Sequence, residues 1–411
     1  MTSIKGLERY LEKVFDWSAR VASLQDGRCF AQVPLRQVFE AVFWGTVLRH
    51  KSLHSIEAEC REGVLRRRIG PVSESTVGYA LERMEVQSLR ELSFAVTRKL
   101  KRNGVLQWAT AGGQLVVALD GIEVFCSERR RCAKCSVRTK RRGEEQVQEY
   151  YHRVVVASLV GFGFRLVVDL ELVKPGENEV GAGERVLRRM VQHLGRRFFQ
   201  IVVADALYAN APFLHTVQRL GLDLVATLKD NQSDLLAQAK GRMDRPPDQT
   251  FQRDAQTHYA IWEEENLWWD VARESIRVIQ VQKERWLTES VGGNKQRRLQ
   301  SRRQFYLTTC SPRRISARSI GRVGEVRWEL ETSTFSHATT EYGIKHAQVH
   351  SGKPQAFLAL LCIRLLAISL YMIYVCRQIW SHYRHEKPSL KLITDRFYRN
   401  LARNPKAWAP G

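Results

Sequence analysis

The stretch VVALDGIEVF, Val116 to Phe125, sets an aspartate in the middle of an apolar, β-branched run. Its composition predicts a buried strand. A carboxylate inside such a strand is costly unless a partner offsets its charge. Further on, IVVADALYA (201–209) repeats the pattern, with Asp205 closing a second β-branched run. Two strands that each deliver one acid suggest a shared site.

The sequence around them is strand-rich from Gly113 onward. GQLVVALDGIEVF, YYHRVVVASLVG and FRLVVDLELV read as three successive strands. NEVGAGERVLRRMVQHLGRR reads as a helix, FQIVVADALYA as a fourth strand, APFLHTVQRLG as a helix and LDLVATLKDN as a fifth strand. Three strands followed by helix–strand–helix–strand predict an α/β fold with a mixed sheet flanked by helices. MDRPPDQ breaks the chain, and residues 250–310 return to strand-like sequence with a Gly-Gly turn near 292. A helix beginning near Gly324, VRWELETSTFSHA, follows.

Residues 1–105 carry apolar residues at helical spacing. After GP at 70–71, Ser73 is a plausible N-cap for a helix running through Met84. With Arg66, Arg67 and Arg68 alongside, this segment fits a helix-turn-helix module and an ordinary helical hairpin equally well. Residues 356–376 are apolar and long enough to span a bilayer. Arg364 within them would cost about 2.5–3.5 kcal/mol at mid-membrane, so a buried core helix is expected.

The chain has 411 residues, a hydrophobic fraction of 44% and a formal net charge of +22. That places it among globular proteins and points to a polyanionic partner, nucleic acid before an acidic membrane. The basic residues cluster in CSERRRCAKCSVRTKRRG (126–143), in KQRRLQSRR (295–303) and in the tail from Arg377. One cluster alone suits a solvated face; several together suit a surface that follows a phosphate backbone. The N-terminal stretch has no apolar signal region. Eight cysteines at irregular spacing fit a reduced, cytoplasmic protein.

Several familiar sites are excluded. GENEVGAG (176–183) has P-loop glycine spacing, but Ala182 stands where the lysine belongs, and GFGF (161–164) lacks the third glycine of a dinucleotide fingerprint. There is no GxSxG elbow and no HExxH. HYRHE (382–386) reads as an exposed histidine pair in a basic tail.

What remains is carboxylates on a sheet. Asp120 and Asp205 converge if their strands are adjacent, and clustered carboxylates repel unless a divalent cation lies between them. A third acid would allow two ions about 3.5–4 Å apart, the arrangement that serves in-line phosphoryl transfer. Glu331, in VRWELETSTF, is the candidate; at helical spacing Arg327 and Phe335 share its face. Asp169, in LVVDLELV, is a competing strand acid that either replaces one of these or faces elsewhere.

LDG (119–121), VVADALY (202–208) and RWELE (327–331), in that order with a β-rich insert before the glutamate, resemble an RNase H-like DDE transposase. More narrowly, they are similar to bacterial insertion-sequence transposases with a Tyr-x2-Arg-x3-Glu-x6-Lys signature. The resemblance covers roughly residues 113–376. It implies Asp120, Asp205 and Glu331 as ligands of two Mg²⁺ or Mn²⁺ ions and Arg327 as a DNA-contacting or glutamate-orienting residue. It also implies cleavage of transposon ends by water, transfer of the freed 3′-hydroxyl to target double-stranded DNA, and a homodimer on paired ends. Two signature positions depart: Gly324 stands for the tyrosine and Ala338 for the lysine, with Lys345 the nearest later lysine.

The expected organisation is a helical, DNA-binding region over 1–110, an RNase H-like core over 111–240 and a β-rich insertion over 241–315. The helical second part of the core follows over 316–380, then a basic tail over 381–411. Two other readings stay open: a transposase-derived protein that binds DNA without cutting it, and an RNase H-like nuclease without strand transfer. Arg138, Arg141, Arg142 and Lys229 are candidate DNA contacts. Tyr208 and Trp328 are either base-stacking platforms or core. Cys126, Cys132, Cys135 and His152 have the donor set of a structural zinc site, with buried free cysteine as the ordinary alternative.

Overall fold

In a computed structural model, which describes residues 3–107, 113–132, 134–161, 164, 166–291, 294–346, 348–349 and 353–403, seven helices precede the first strand. They are α1 (Ile4–Phe15), α2 (Trp17–Ala22), α3 (Leu35–Val47), α4 (Leu53–Arg61), α5 (Arg66–Ile69), α6 (Glu74–Leu81) and α7 (Val86–Arg102). Strands β1 (Val116–Ser127), β2 (Ser136–Arg142), β3 (Glu145–Val160) and β4 (Leu166–Leu172) follow, then α8 (Glu179–Leu194). Next come β5 (Ile201–Ala204), α9 (Ala211–Arg219), β6 (Asp223–Leu228) and α10 (Ser233–Arg242). Four more strands are β7 (Gln249–Asp254), β8 (Thr257–Trp269), β9 (Glu274–Val291) and β10 (Asn294–Thr308). The chain closes with α11 (Ala317–Glu329), α12 (Ser336–Tyr342), α13 (Pro354–Tyr374) and α14 (Leu390–Arg403).

The architecture is α/β, with the strands in a mixed sheet and a helical N-terminal region. The chain divides into two units, and β1 belongs partly to each: Met1–Gln107, Gly121–Leu194 and Leu330–Gly411 form one, Trp108–Asp120 and Gly195–Glu329 the other.

In the first unit, α1 buries Ile4, Leu7, Leu11 and Phe15, the helical stripe of an amphipathic helix. Ser73 caps α6 as its sequence predicts, accepting from the Thr76 N–H, but the helix ends at Leu81, short of Met84. The apolar run near 356–376 forms α13, the one helix among the described residues long and apolar enough to cross a membrane; 89% of its apolar window is buried within the protein. Arg364 fits there because its guanidinium donates to Thr46 Oγ1 at 3.2 Å, to Gln348 Oε1 and to the His50 carbonyl. Burial lowers its pKa to about 10. β4 and β2 pair antiparallel with β3, which lies beside β1. α8 packs its Val180–Val191 face on β3 and β4.

β2 is not among the strands read from the sequence, where 126–143 stands only as a basic cluster. Its charges are tolerated because β3 supplies the opposite sign directly across. Arg138 is paired with Glu149 in the ladder, and the guanidinium also reaches Glu123 at 2.8 Å. Lys140 joins Glu149 at 2.6 Å. Opposite charges facing across an antiparallel pair stabilise it.

In the second unit, β1 pairs parallel with β5, and β5 parallel with β6. β10 then pairs antiparallel with β6, β9 with β10, β8 with β9 and β7 with β8. Strands β7–β10 therefore extend the sheet to which β6 belongs. The Gly-Gly turn near 292 lies outside the described residues. The late helix starts at Ala317, seven residues before Gly324, and its α-geometry gives way to a π-helical turn over Leu330–Phe335.

Candidate active site

The register of the parallel pair decides where the two aspartates stand. Val116, Val117 and Ala118 face Ile201, Val202 and Val203. Two residues beyond the last of these pairs come Asp120 on one strand and Asp205 on the other. The acids are thus level at the carboxyl ends of adjacent parallel strands, the end at which open α/β sheets gather ligands. Asp205 is half-buried and still extended, and its carboxylate accepts from the Leu207 N–H at 2.9 Å, turning the chain into a single 3₁₀ turn. On the next strand Ala226 faces Ala204, so Lys229, exposed, lies at the same end of the sheet.

Asp120 is 8% exposed, and its partner is the one the buried carboxylate requires. Arg327 of α11, itself 4% exposed, brings Nη1 to 3.4 Å from Oδ2. The guanidinium lies 4.9 Å from the Trp328 ring, and Arg302 of β10 lies 4.4 Å from the same ring. Trp328, half-buried, thus lies within cation–π range of two guanidiniums. Glu331 falls on the π-helical turn, with its side chain outside the described residues.

The two departures from the signature have different structural contexts. A Cβ at Gly324 would lie 2.3 Å from the Tyr306 ring. Tyr306 comes from β10, is 2% exposed, and donates its hydroxyl to Gln304 Oε1 at 3.0 Å. Burial raises its pKa above the ordinary phenol value. The glycine of α11 therefore makes room for a tyrosine from β10. Gly324→Tyr is expected to destabilise the protein by about 1–3 kcal/mol through overpacking. Combining it with Tyr306→Ala should recover most of the loss, read as melting temperatures of the single and double variants. Ala338, by contrast, is fully buried in α12, while Lys345 is exposed.

Asp169 is accounted for without a ligand. Its side chain is fully buried between Arg189, 2.8 Å away, and Arg90, 3.3 Å away. Burial pushes its pKa up, against the pull of both arginines. Tyr208 is fully buried against Phe213, with ring centroids 4.9 Å apart, so its ring is packed in the core rather than presented for stacking. Arg138 is engaged with Glu149 and Glu123, while Arg141 and Arg142 are exposed on β2. Cys132, Cys135 and His152 come together; Cys126 is not in that group.

One carboxylate was not anticipated. Glu179, at the start of α8, packs over Gly121, the residue after Asp120; a Cβ on Gly121 would lie 2.3 Å from its carboxyl group. Arg153 pairs with Glu179 at 3.3 Å. The only sequence signal was the glycine itself, which leaves that space open.

A mixed α/β sheet in which β5 and β6 run parallel with β1, with acids at the carboxyl ends of β1 and β5, has the RNase H-like arrangement. The family model described as "Transposase DDE domain" matches residues 112–370, and the chain belongs to that family. Among solved structures, a piggyBac transposase synaptic complex with hairpin DNA is similar over 98% of this chain and 83% of that one, at 11% identity and a TM-score of 0.44. No curated protein matches the sequence.

Proposed function

We propose that this protein is a DNA transposase that cuts the ends of a mobile element and joins the freed 3′-hydroxyl to target DNA. The observation that carries the reading is the level placement of Asp120 and Asp205 on adjacent parallel strands. Carboxylates are hard oxygen donors, suited to Mg²⁺ or Mn²⁺, and with Glu331 they would hold two such ions. When bound, the ions supply a nucleophile at neutral pH and charge neutralisation at the scissile phosphate. Asp120 and Asp205 fix the ligand positions from a rigid sheet, and Arg327 holds the Asp120 carboxylate in place.

In the first step a water oxygen attacks phosphorus, the bond to the 3′-oxygen breaks, and that oxygen leaves as a hydroxyl. In the second step the hydroxyl attacks a target phosphodiester, forming one P–O bond as another breaks. Each step exchanges one phosphoester bond, so no covalent enzyme intermediate is required. The cytoplasm is the proposed site of action, and a homodimer on paired ends the proposed assembly.

A second reading, a relative that binds DNA without cutting it, is favoured by the buried Ala338 in the lysine position. Strand cleavage with Mg²⁺ on DNA flanking the gene, wild type beside Glu331→Gln, separates the readings. Nicks at a defined position that vanish in the variant, followed by joined products, support the transposase. Nicks without joining indicate a nuclease, and binding without nicks indicates the inactive relative.

The exposed arginines of β10 belong to the proposed DNA surface. Arg297 and Arg298 project from a strand that also carries exposed Arg302 and Arg303. Replacing Arg297 and Arg298 by alanine is expected to reduce the slope of log Kobs against log salt by about 2, roughly 0.9 for each phosphate no longer neutralised. Fluorescence anisotropy with labelled duplex at several salt concentrations measures it.

A further inference from the structure

We propose that Cys132, Cys135 and His152 form a zinc site, separate from the carboxylates proposed for catalysis. The three donor atoms already have the spacing of a coordination shell. Cys132 Sγ lies 3.3 Å from His152 Nε2, Cys135 Sγ lies 3.5 Å from the same nitrogen, and the two sulfurs are 3.7 Å apart. Zinc bound tetrahedrally, with Zn–S about 2.3 Å and Zn–N about 2.0–2.1 Å, requires S···S edges of about 3.8 Å and S···N edges of about 3.5 Å. All three edges agree within about 0.3 Å of those values. A disulfide would need the sulfurs at about 2.05 Å.

The surroundings hold this geometry. His152 is 3% exposed, with its ring stacked on Phe357 at 5.3 Å and tilted against Phe125 at 5.7 Å. The imidazole is thereby oriented, with Nε2 toward the sulfurs. Backbone amides point at both thiols: the Cys132 N–H to Cys135 Sγ at 3.2 Å and the Lys134 N–H to Cys132 Sγ at 3.4 Å.

Two thiolates and an imidazole select zinc over magnesium, calcium or manganese, which prefer oxygen. Binding releases the two thiol protons to solvent and leaves the fourth corner to water, since Cys126 is not among the grouped donors. The metal would tie the turn between β1 and β2 to β3, fixing a segment in which Arg129, Arg131 and Lys134 are exposed. Its role is to position a basic surface.

The test is metal analysis of the full-length chain, purified untagged and without chelator. One zinc per chain is expected, retained in Cys126→Ser and in Asp120→Asn, and lost in Cys132→Ser and Cys135→Ser. Co²⁺ added to metal-free wild type should give tetrahedral d–d bands and thiolate charge transfer, a readout that does not depend on the serine variants folding. Zinc removal should also speed tryptic cleavage at Arg129–Lys134. The proposal is overturned if wild type carries no zinc and Co²⁺ gives no thiolate bands, if Cys132 and Cys135 are joined as a disulfide, or if Cys126→Ser loses the metal.

Discussion

Asp120→Asn is expected to lower metal-dependent strand cleavage by about 10³-fold or more while leaving the protein folded. The catalytic loss follows from removing one anionic oxygen donor from an ion-binding pair. About 4 kcal/mol of transition-state stabilisation corresponds to three orders of magnitude in rate. The fold should survive because asparagine has nearly the same shape, and its amide oxygen still accepts from Arg327 Nη1, now 3.4 Å from the carboxylate. What is lost is the charge opposite a cation that is 4% exposed, so some destabilisation is expected. Asp205→Asn provides the control. It should lose cleavage equally but melt closer to wild type, because Asp205 is half-buried and starts a 3₁₀ turn that asparagine also starts well. Cleavage assays and thermal melts on the two variants check both halves. Undiminished cleavage in Asp120→Asn would move the chemistry away from this strand pair.

Why the carboxylate pair was legible in sequence, and other parts were not, comes down to where each partner lies in the chain. β1 and β5 announce themselves because strands buried on both faces are continuous apolar runs, and an acid in such a run stands out. β2 has no such signature. Its stability comes from Glu149 and Glu123, opposite or beside it in space, so Ser136–Arg142 reads as part of a basic cluster until the pairing is known. The same holds for Gly324, whose meaning is set by a ring on β10. Cys132, Cys135 and His152 were recoverable from donor chemistry alone, but the spacing did not separate them from Cys126. Asp169 and Asp120 are the sharpest case. Both are acids in β-branched strands, and only the resemblance carried by LDG (119–121) favours Asp120. The difference lies in which cations reach them. Arg90 of α7 and Arg189 of α8 close on Asp169 from two helices, whereas Asp120 meets Arg327 at the open end of its strand.

Asp169→Ala should therefore be among the most destabilising substitutions in the protein, at about 3–5 kcal/mol, the usual cost of removing one member of a buried ion pair. The Asp169 side chain is fully buried, while those of Arg90 and Arg189 are 13% and 16% exposed. Without the aspartate both guanidiniums remain largely desolvated, with Glu171 the acid left beside them, 3.0 Å from Arg90 and 2.8 Å from Arg189. Urea unfolding followed by circular dichroism gives the magnitude, and because the chain has two units the transition should be fitted with more than one step where probes disagree. A quadruple variant, Arg90→Met with Asp169→Leu, Glu171→Gln and Arg189→Met, should regain most of the lost stability, since well-packed uncharged groups often replace a buried ionic cluster without loss. That variant also separates Asp169 from the catalytic acids. A structural ion pair predicts that the repacked protein still cleaves DNA in Mg²⁺, whereas a metal ligand predicts a folded protein that does not.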